Sequence, residues 1–243
     1  MIKTYKTIRT YIFWFIVTSF YLPLCLLISY LPENKRHKKL YFFFTNQWNS
    51  LLVFFAFLVV KIKKEKEDLP DFYKHPAIFV MNHASALDIP LAEYVVGKHP
   101  HIWISKQSYA KIPLFGKLLQ RMHALINKEN PKQSTQALIR AYKLAQKYNL
   151  SVLLFPEGTR STDGKLGEFL GGFYLLAKKL NRPVIPVAIL GANEIMKKNS
   201  LLLDPRASDI KITIGTPIFV KENETEEEFS NKIRSWFNKH IQK

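Results

Sequence analysis

Apolar residues fall along this chain in two different spacings. Near the N-terminus they form two long runs. Tyr11 to Leu31 is twenty-one residues without a charge, about the length that crosses a bilayer's hydrocarbon core. Tyr41 to Val60 is a second run, but Asn46, Gln47 and Asn49 lie near its centre, where lipid would leave their amides unsatisfied. From about Leu69 the runs shorten to strand length: Ala77–Met81, His101–Ser105, Ala124–Asn127, Ser151–Phe155, Val184–Ile189 and Ile210–Ile214. Helical patterns separate most of them. In the clearest, Ala137, Leu138, Ala141, Leu144, Ala145 and Tyr148 mark one face between Pro131 and Tyr148, with proline at the helix start. A Thr225-x-x-Glu228 capping box then opens an amphipathic helix through Phe229, Ile233, Trp236, Phe237 and Ile241. The pattern predicts an α/β protein, with a mixed, largely parallel sheet flanked by helices. Residues 1–68 are read as N-terminal membrane-anchoring helices and residues 69–243 as the α/β domain.

Charge changes the reading of the N-terminal runs. The net charge of +17 calls for an anionic partner: phospholipid headgroups, nucleic acid or an acidic protein. Lys3, Lys6 and Arg9 precede the first run, Lys35, Arg36, Lys38 and Lys39 lie between the two, and Lys61, Lys63, Lys64 and Lys66 follow the second. A spanning hairpin puts the middle cluster across the membrane from the other two, against the positive-inside tendency. Two helices lying in one leaflet keep all three among the same anionic headgroups, and Pro23 favours a bent helix over a straight span. The first run is also longer than the apolar part of a signal peptide and has no small-residue cleavage site after it. The expectation is a monotopic anchor on the cytoplasmic face of the cell membrane. Cys25 is the single cysteine, so no intramolecular disulfide forms.

Two polar knots interrupt the strand pattern. In "FVMNHASALDIP", a buried strand ends at Asn82, His83, Ser85 and Asp88, and a helical pattern follows at once. Along one continuous helix, positions five apart are rotated by about 500° and point away from each other. A turn between them lets Asp88 accept a hydrogen bond from one imidazole nitrogen, which fixes the tautomer and leaves the other nitrogen basic. Equally, Asn82 or Ser85 caps the helix, Asp88 favours its dipole and His83 is incidental. In "LLFPEGTRS", Pro156 and Gly158 stop a second strand and present Glu157, Thr159 and Arg160. Arginine suits bidentate recognition of phosphate, although a β-turn with a surface Glu–Arg pair gives the same residues. Two such knots after two buried strands argue for one shared site, since open α/β sheets bind ligands at strand ends.

Together these residues resemble the glycerolipid acyltransferases, in particular the 1-acylglycerol-3-phosphate (lysophosphatidic acid) acyltransferase family. Residues 82–88 match its NHxSxxD (HX4D) motif and residues 155–161 its FPEGTRS motif, while residues 183–188 match a later apolar block with a proline. The resemblance implies acyl transfer from a thioester, acyl-CoA or acyl carrier protein, to the free hydroxyl of 1-acylglycerol-3-phosphate, giving phosphatidic acid. It implies His83 as general base and Asp88 as its orienting carboxylate. Asn82, Ser85, Lys128, Glu157, Gly158, Thr159 and Arg160 are then expected around the acceptor. It implies no metal or other cofactor, and no G-x-S-x-G elbow supplies a serine nucleophile. The implied partners are anionic membrane lipids, a lysophospholipid and the acyl donor.

Departures from the family fall at the acceptor side. The usual Gly-x-Ile-x-x-Asp-Arg stretch corresponds to Met122 through Lys128, which keeps a positive charge but loses the planar guanidinium fork. Asn127 removes a carboxylate, and Leu170 stands where many members have lysine. Another lysolipid, such as a lyso-aminolipid, is therefore an alternative acceptor. A nucleic-acid binder would explain the charge but not the N-terminal runs, and no zinc-finger or RNP-like stretch is present. A non-catalytic membrane-binding protein would be indifferent to loss of His83.

Overall fold

The computed structural model describes residues 2–56, 62–66, 75–96, 99–162, 164–204 and 209–241. The chain begins with α1 (Ile2–Ser29), a short α2 (Glu33–Arg36) and α3 (Lys39–Ala56). It continues through β1 (Ile62–Lys66), β2 (Ile78–Met81), α4 (Asp88–Val96), β3 (His101–Lys106), a 3₁₀ turn (Gln107–Lys111), α5 (Phe115–Met122) and β4 (Ala124–Ile126). The remaining elements are α6 (Pro131–Tyr148), β5 (Ser151–Leu154), α7 (Gly172–Leu180), β6 (Val184–Leu190), α8 (Ala192–Ile195), β7 (Ile210–Ile214) and α9 (Glu226–Ile241).

Among the described residues the strands make one seven-stranded sheet in the order β1-β7-β6-β2-β5-β3-β4. Every pairing is parallel except β6 with β7, which gives the mixed, largely parallel sheet that the strand–helix alternation predicts. The alternation of side chains divides the core into two layers. Ile78, Val80, Ile102, Val152, Leu154, Val184 and Ala188 face the layer formed with α5, α6, α7 and α9. Phe79, Met81, Trp103, Leu153, Ile185, Val187 and Ile189 face the layer formed with α4 and α8. The strands are thus buried on both sides, which is why they read as unbroken apolar runs.

Two helices start and stop as their sequences direct. Pro131 opens α6 with Asn130 as N-cap, its side chain accepting from the Gln133 N–H, and Asn149 closes it in the left-handed conformation. The capping box before α9 is formed, with Thr225 N–H donating to Glu228 Oε2 and Glu228 N–H to Thr225 Oγ1. The sheet also takes in β1, which pairs in parallel with β7 from Ile62↔Ile210 to Lys66↔Ile214. In the sequence pattern this stretch supplies only charges flanking the second apolar run, N-terminal to the expected start of the α/β domain. Its sequence, Ile-Lys-Lys-Glu-Lys, has the charges that shield an edge strand from pairing with other chains, and so it lacks a core strand's apolar pattern.

Helices α1 and α3 pack against each other, and the pair is tied to the sheet domain at both ends of α1. Thr7 Oγ1 donates to the Leu203 carbonyl and accepts from the Leu203 N–H, and Tyr11 donates to the Leu201 carbonyl. At the other end, Arg121 of α5 donates to the Ser29 carbonyl and stacks its guanidinium 4.1 Å over the Tyr30 ring. Facing inward, α1 buries Thr7, Thr10, Val17, Cys25, Ile28 and Ser29, whereas Tyr5, Ile8, Ile12, Phe15, Ile16, Phe20 and Leu27 remain exposed. The second apolar run extends as helix to Ala56, and residues 57–60 of that run lie outside the described residues.

Candidate active site

The site is set by adjacency of β2 and β5. These neighbours run parallel, with Val80 opposite Leu154, so the chain leaves both strands at the same end of the sheet. His83 and Glu157 then each lie three positions beyond that pair. The two turns are hydrogen-bonded to each other, once through a side chain and once through the backbone. His83 N–H donates to Glu157 Oε1 at 2.8 Å, and Ser161 N–H donates to the His83 carbonyl at 2.8 Å.

His83 and Asp88 come together because the chain turns at Ala84–Leu87 before α4 begins. His83 Nδ1 lies 2.9 Å from Asp88 Oδ2, and the same oxygen accepts the Ala84 and Ser85 N–H groups, each at 2.7 Å. An oxygen already ringed by N–H donors fixes the imidazole as its Nδ1–H tautomer. Nε2 is thereby left with its lone pair. Asp88 is fully buried, and among the described residues its Oδ1 has no hydrogen-bond partner. The imidazole keeps 10% of its side-chain surface exposed, a narrow opening to whatever approaches.

Other residues expected beside the acceptor are placed differently by the fold. Asn82 is buried, its amide donating to the Ile189 carbonyl and accepting the Ile189 N–H, which pins the histidine turn to β6. Ser85 is also fully buried. Its hydroxyl donates to the Met196 carbonyl and accepts the Leu87 N–H ahead of α4. Glu157 spends one carboxylate oxygen on His83 N–H and the other on Gly167 N–H. Burial pushes its carboxyl pKa up, against the pull of these two bonds. These three polar side chains hold the turns together.

Gly158, Thr159, Arg160 and Lys128 form the outward side. Gly158 takes φ +61°, and a Cβ there would lie 2.9 Å from Leu170 Cδ1 and 4.0 Å from Lys128 Cδ. Lys128, just past β4, and Leu170 therefore approach the same glycine. Thr159 is exposed and Arg160 half-buried. The Arg160 carbonyl accepts from Lys198 Nζ at 2.6 Å, and among the described residues its guanidinium forms no ion pair. Asn127 instead serves its own turn, donating to Gln133 and accepting the Glu129 N–H, while Met122 is buried in the core. Among the described residues no cluster of three or more His, Cys, Asp or Glu side chains is placed to hold a metal ion. A basic depression of about 410 Å³, lined by Arg140, Lys143, Lys147 and Glu33, involves none of the motif residues.

Behind the histidine lie two aromatic rings and a buried pair, of which Phe155 alone belongs to either motif. The His83 ring stacks on Phe155, centroids 4.0 Å apart and planes 12° from parallel, and Phe155 in turn meets Trp103 at 5.5 Å. Trp103 Nε1–H donates to Glu93 Oε1, 2.5 Å away. His101 places Nε2 3.0 Å from the same oxygen and Nδ1 2.6 Å from the His99 carbonyl. Both imidazole nitrogens of His101 face acceptors. Burial lowers its pKa, but Glu93 and the carbonyl outweigh burial, and the net shift is upward. A glutamate inside the apolar pattern of α4 is the one sequence signal for this cluster.

The family model described as Acyltransferase matches residues 61–190. A 1-acyl-sn-glycerol-3-phosphate acyltransferase of Cocos nucifera is 34% identical over 162 residues, covering 66% of this chain and 51% of the coconut protein. A chloroplastic one of Brassica napus is 31% identical over 187 residues, covering 76% of this chain and 52% of its own. This chain thus spans about half the length of these plant relatives. One from Salmonella typhimurium is 27% identical over 202 residues, covering 83% and 78%. The crystal structure of a 1-acyl-sn-glycerophosphate acyltransferase from Thermotoga maritima superposes with a TM-score of 0.76 at 22% identity, over 99% of this chain and 96% of that one. That likeness is one of fold, N-terminal helices included. Because the family's model spans both polar turns and the strands that carry them, the chain belongs to the acyltransferase family.

Proposed function

We propose that the protein transfers an acyl group from a thioester to the free hydroxyl of 1-acylglycerol-3-phosphate, giving phosphatidic acid. The observation that carries this is the His83–Asp88 pair at the joined ends of β2 and β5, in a chain whose relatives are named for this reaction. Nε2 of His83 takes the acceptor's hydroxyl proton as the oxygen attacks the thioester carbonyl. The C–O bond forms, the C–S bond breaks, and the imidazolium returns the proton to the departing thiolate. Asp88 holds the ring and balances the charge that His83 gains. No acyl-enzyme intervenes in this route.

Arg160 and Lys128 are the cations of the outward side, and they would bind the acceptor's phosphate. Lysine at 128 is a point charge without a guanidinium's fork, so the site depends on Arg160 for planar recognition. The acceptor headgroup and the donor are tested together. Purified protein is given lysophosphatidic acid or a lyso-aminolipid, with acyl-CoA or acyl carrier protein as donor. Turnover restricted to lysophosphatidic acid supports the reading. Turnover restricted to the aminolipid moves the acceptor assignment and leaves the chemistry in place.

The reaction takes place at a membrane surface, and α1 is the element that supports this reading. Both ends of this helix bond to the sheet domain, from Thr7 to Ser29, a span of about 33 Å at helical rise. A helix tied down at both ends lies along its domain instead of crossing a bilayer away from it. Its exposed aromatic and aliphatic side chains then enter one leaflet. The cytoplasmic face fits the net charge of +17, since anionic lipids are enriched there.

A further inference from the structure

We propose that Phe155 is a positioning residue for His83: its ring, backed by Trp103 and through it by buried Glu93, holds the imidazole in its reactive orientation and favours the protonated ring. The proposal rests on the acyl-transfer reading for its consequence in turnover, but the stack itself is testable without it. Phe155 belongs to the motif that supplies Glu157 and Arg160, yet it carries no chemistry of its own. Its contribution lies in where its face is turned.

Two rings 4.0 Å apart and 12° from parallel present the electron-rich face of Phe155 to the imidazole. A neutral imidazole gains dispersion from that face, and an imidazolium gains a cation–π attraction as well. The interaction is therefore stronger after His83 has taken the acceptor's proton than before, which is the differential that lowers a barrier. The Phe155 ring is held in turn by Trp103, 5.5 Å away and inclined by 30°. Trp103 is locked at two points: Nε1–H donates to Glu93 and its backbone N–H to His123 Nδ1 at 3.2 Å. Glu93 lies on α4, the helix that begins with Asp88, so one helix holds the imidazole by its edge and, through two rings, by its face.

Other charges near His83 are held by hydrogen bonds that do not use the Phe155 side chain. Asp88 comes from α4, Glu157 and Arg160 come from the turn after β5, and Lys198 reaches the Arg160 carbonyl from beyond α8. Replacing Phe155 by leucine removes the π-face and leaves them all in place. The His83 ring is titrated by NMR in the full-length protein in micelles, its signal identified by its loss in His83→Ala. The midpoint is expected to fall by about half a pH unit in Phe155→Leu and to recover in Phe155→Tyr. In turnover, kcat is expected to fall about threefold, the rate equivalent of that half unit, with KM for the acceptor unchanged and the acidic limb of the rate profile moving to lower pH. Trp103→Phe, which keeps a ring but loses the bond to Glu93, should lie between. Phe155→Met takes the same measurements if the leucine variant does not fold. A midpoint unmoved to within about 0.2 pH units in a folded variant overturns the proposal. A shifted midpoint in a protein with no acyl transfer would support the stack and overturn the function instead.

Discussion

Replacing Asp88 by asparagine separates the two services that this carboxylate performs. Oδ2 accepts three N–H groups, two of them from the backbone of Ala84 and Ser85 at 2.7 Å. An amide fits that position only with its oxygen inward, because its NH₂ would meet two fixed donors. Asparagine therefore still accepts the His83 Nδ1–H, and the tautomer survives. What is lost is the negative charge opposite the imidazolium. Coulomb attraction across 2.9 Å at an effective dielectric of about 20 sets a ceiling of about 6 kcal/mol. The difference between a charged and a neutral hydrogen bond, about 1–2 kcal/mol, sets a floor. A value near 4 kcal/mol corresponds to about 10³-fold in kcat. The new NH₂ takes the place of Oδ1, which has no partner among the described residues, and an unsatisfied buried donor costs about 1–3 kcal/mol of stability. Steady-state acyl transfer in mixed micelles measures kcat and KM, and urea unfolding measures the second cost. A folded Asp88→Asn within about threefold of wild-type kcat would refute the role given to the charge.

Gly158→Ala puts a Cβ at φ +61° and 2.9 Å from Leu170 Cδ1. The strain of a left-handed alanine should cost about 1–2 kcal/mol, read as a lower urea midpoint, and an unchanged midpoint would mean that the turn relaxes freely. Arg160→Lys should raise KM for a phosphate-bearing acceptor by about tenfold with less effect on kcat, since a bidentate contact becomes a single one. An equal loss with an acceptor lacking phosphate would place Arg160 elsewhere in the reaction. Stability should fall as pH drops below about 6.5, because burial chiefly pushes His37 and His99 down to about 4 and His123 well below its usual value. These three are neutral when folded and bind protons on unfolding, so their contribution is full above the unfolded value and lost as pH falls through the folded ones. His101 has the opposite sign: its raised value adds stability below about 6.5 that fades as pH rises through the folded pKa. Urea midpoints between pH 8 and pH 4 should therefore decline on the acid side, less steeply in His37→Gln, and a flat profile would contradict the assignment.

The parts of this protein that were legible in advance are those set by local pattern. Buried strands read as apolar runs, α6 is bounded by proline at one end and a left-handed Asn149 at the other, and α9 opens on a capping box that does form. The pairing of His83 with Asp88 was also legible, because it spans five residues of one turn. What escaped depends on contacts distant in sequence. Asn82 and Ser85 belong to the motif, but their directions are set by Ile189 and Met196, 107 and 111 residues away. The Glu93–Trp103–Phe155 row needs three elements to meet. The strand β1 escaped for a different reason: four of its five residues are charged, which suits an edge and conceals a strand.

His83 is the centre of the proposed reaction. The decisive measurement is phosphatidic acid formed from lysophosphatidic acid and an acyl thioester in anionic mixed micelles, by the wild type and by His83→Ala at matched fold and concentration. Loss of product by at least about 10³-fold in the variant is the predicted result. Equal product from both proteins would remove the general base from the mechanism and the joined turns from the centre of the site.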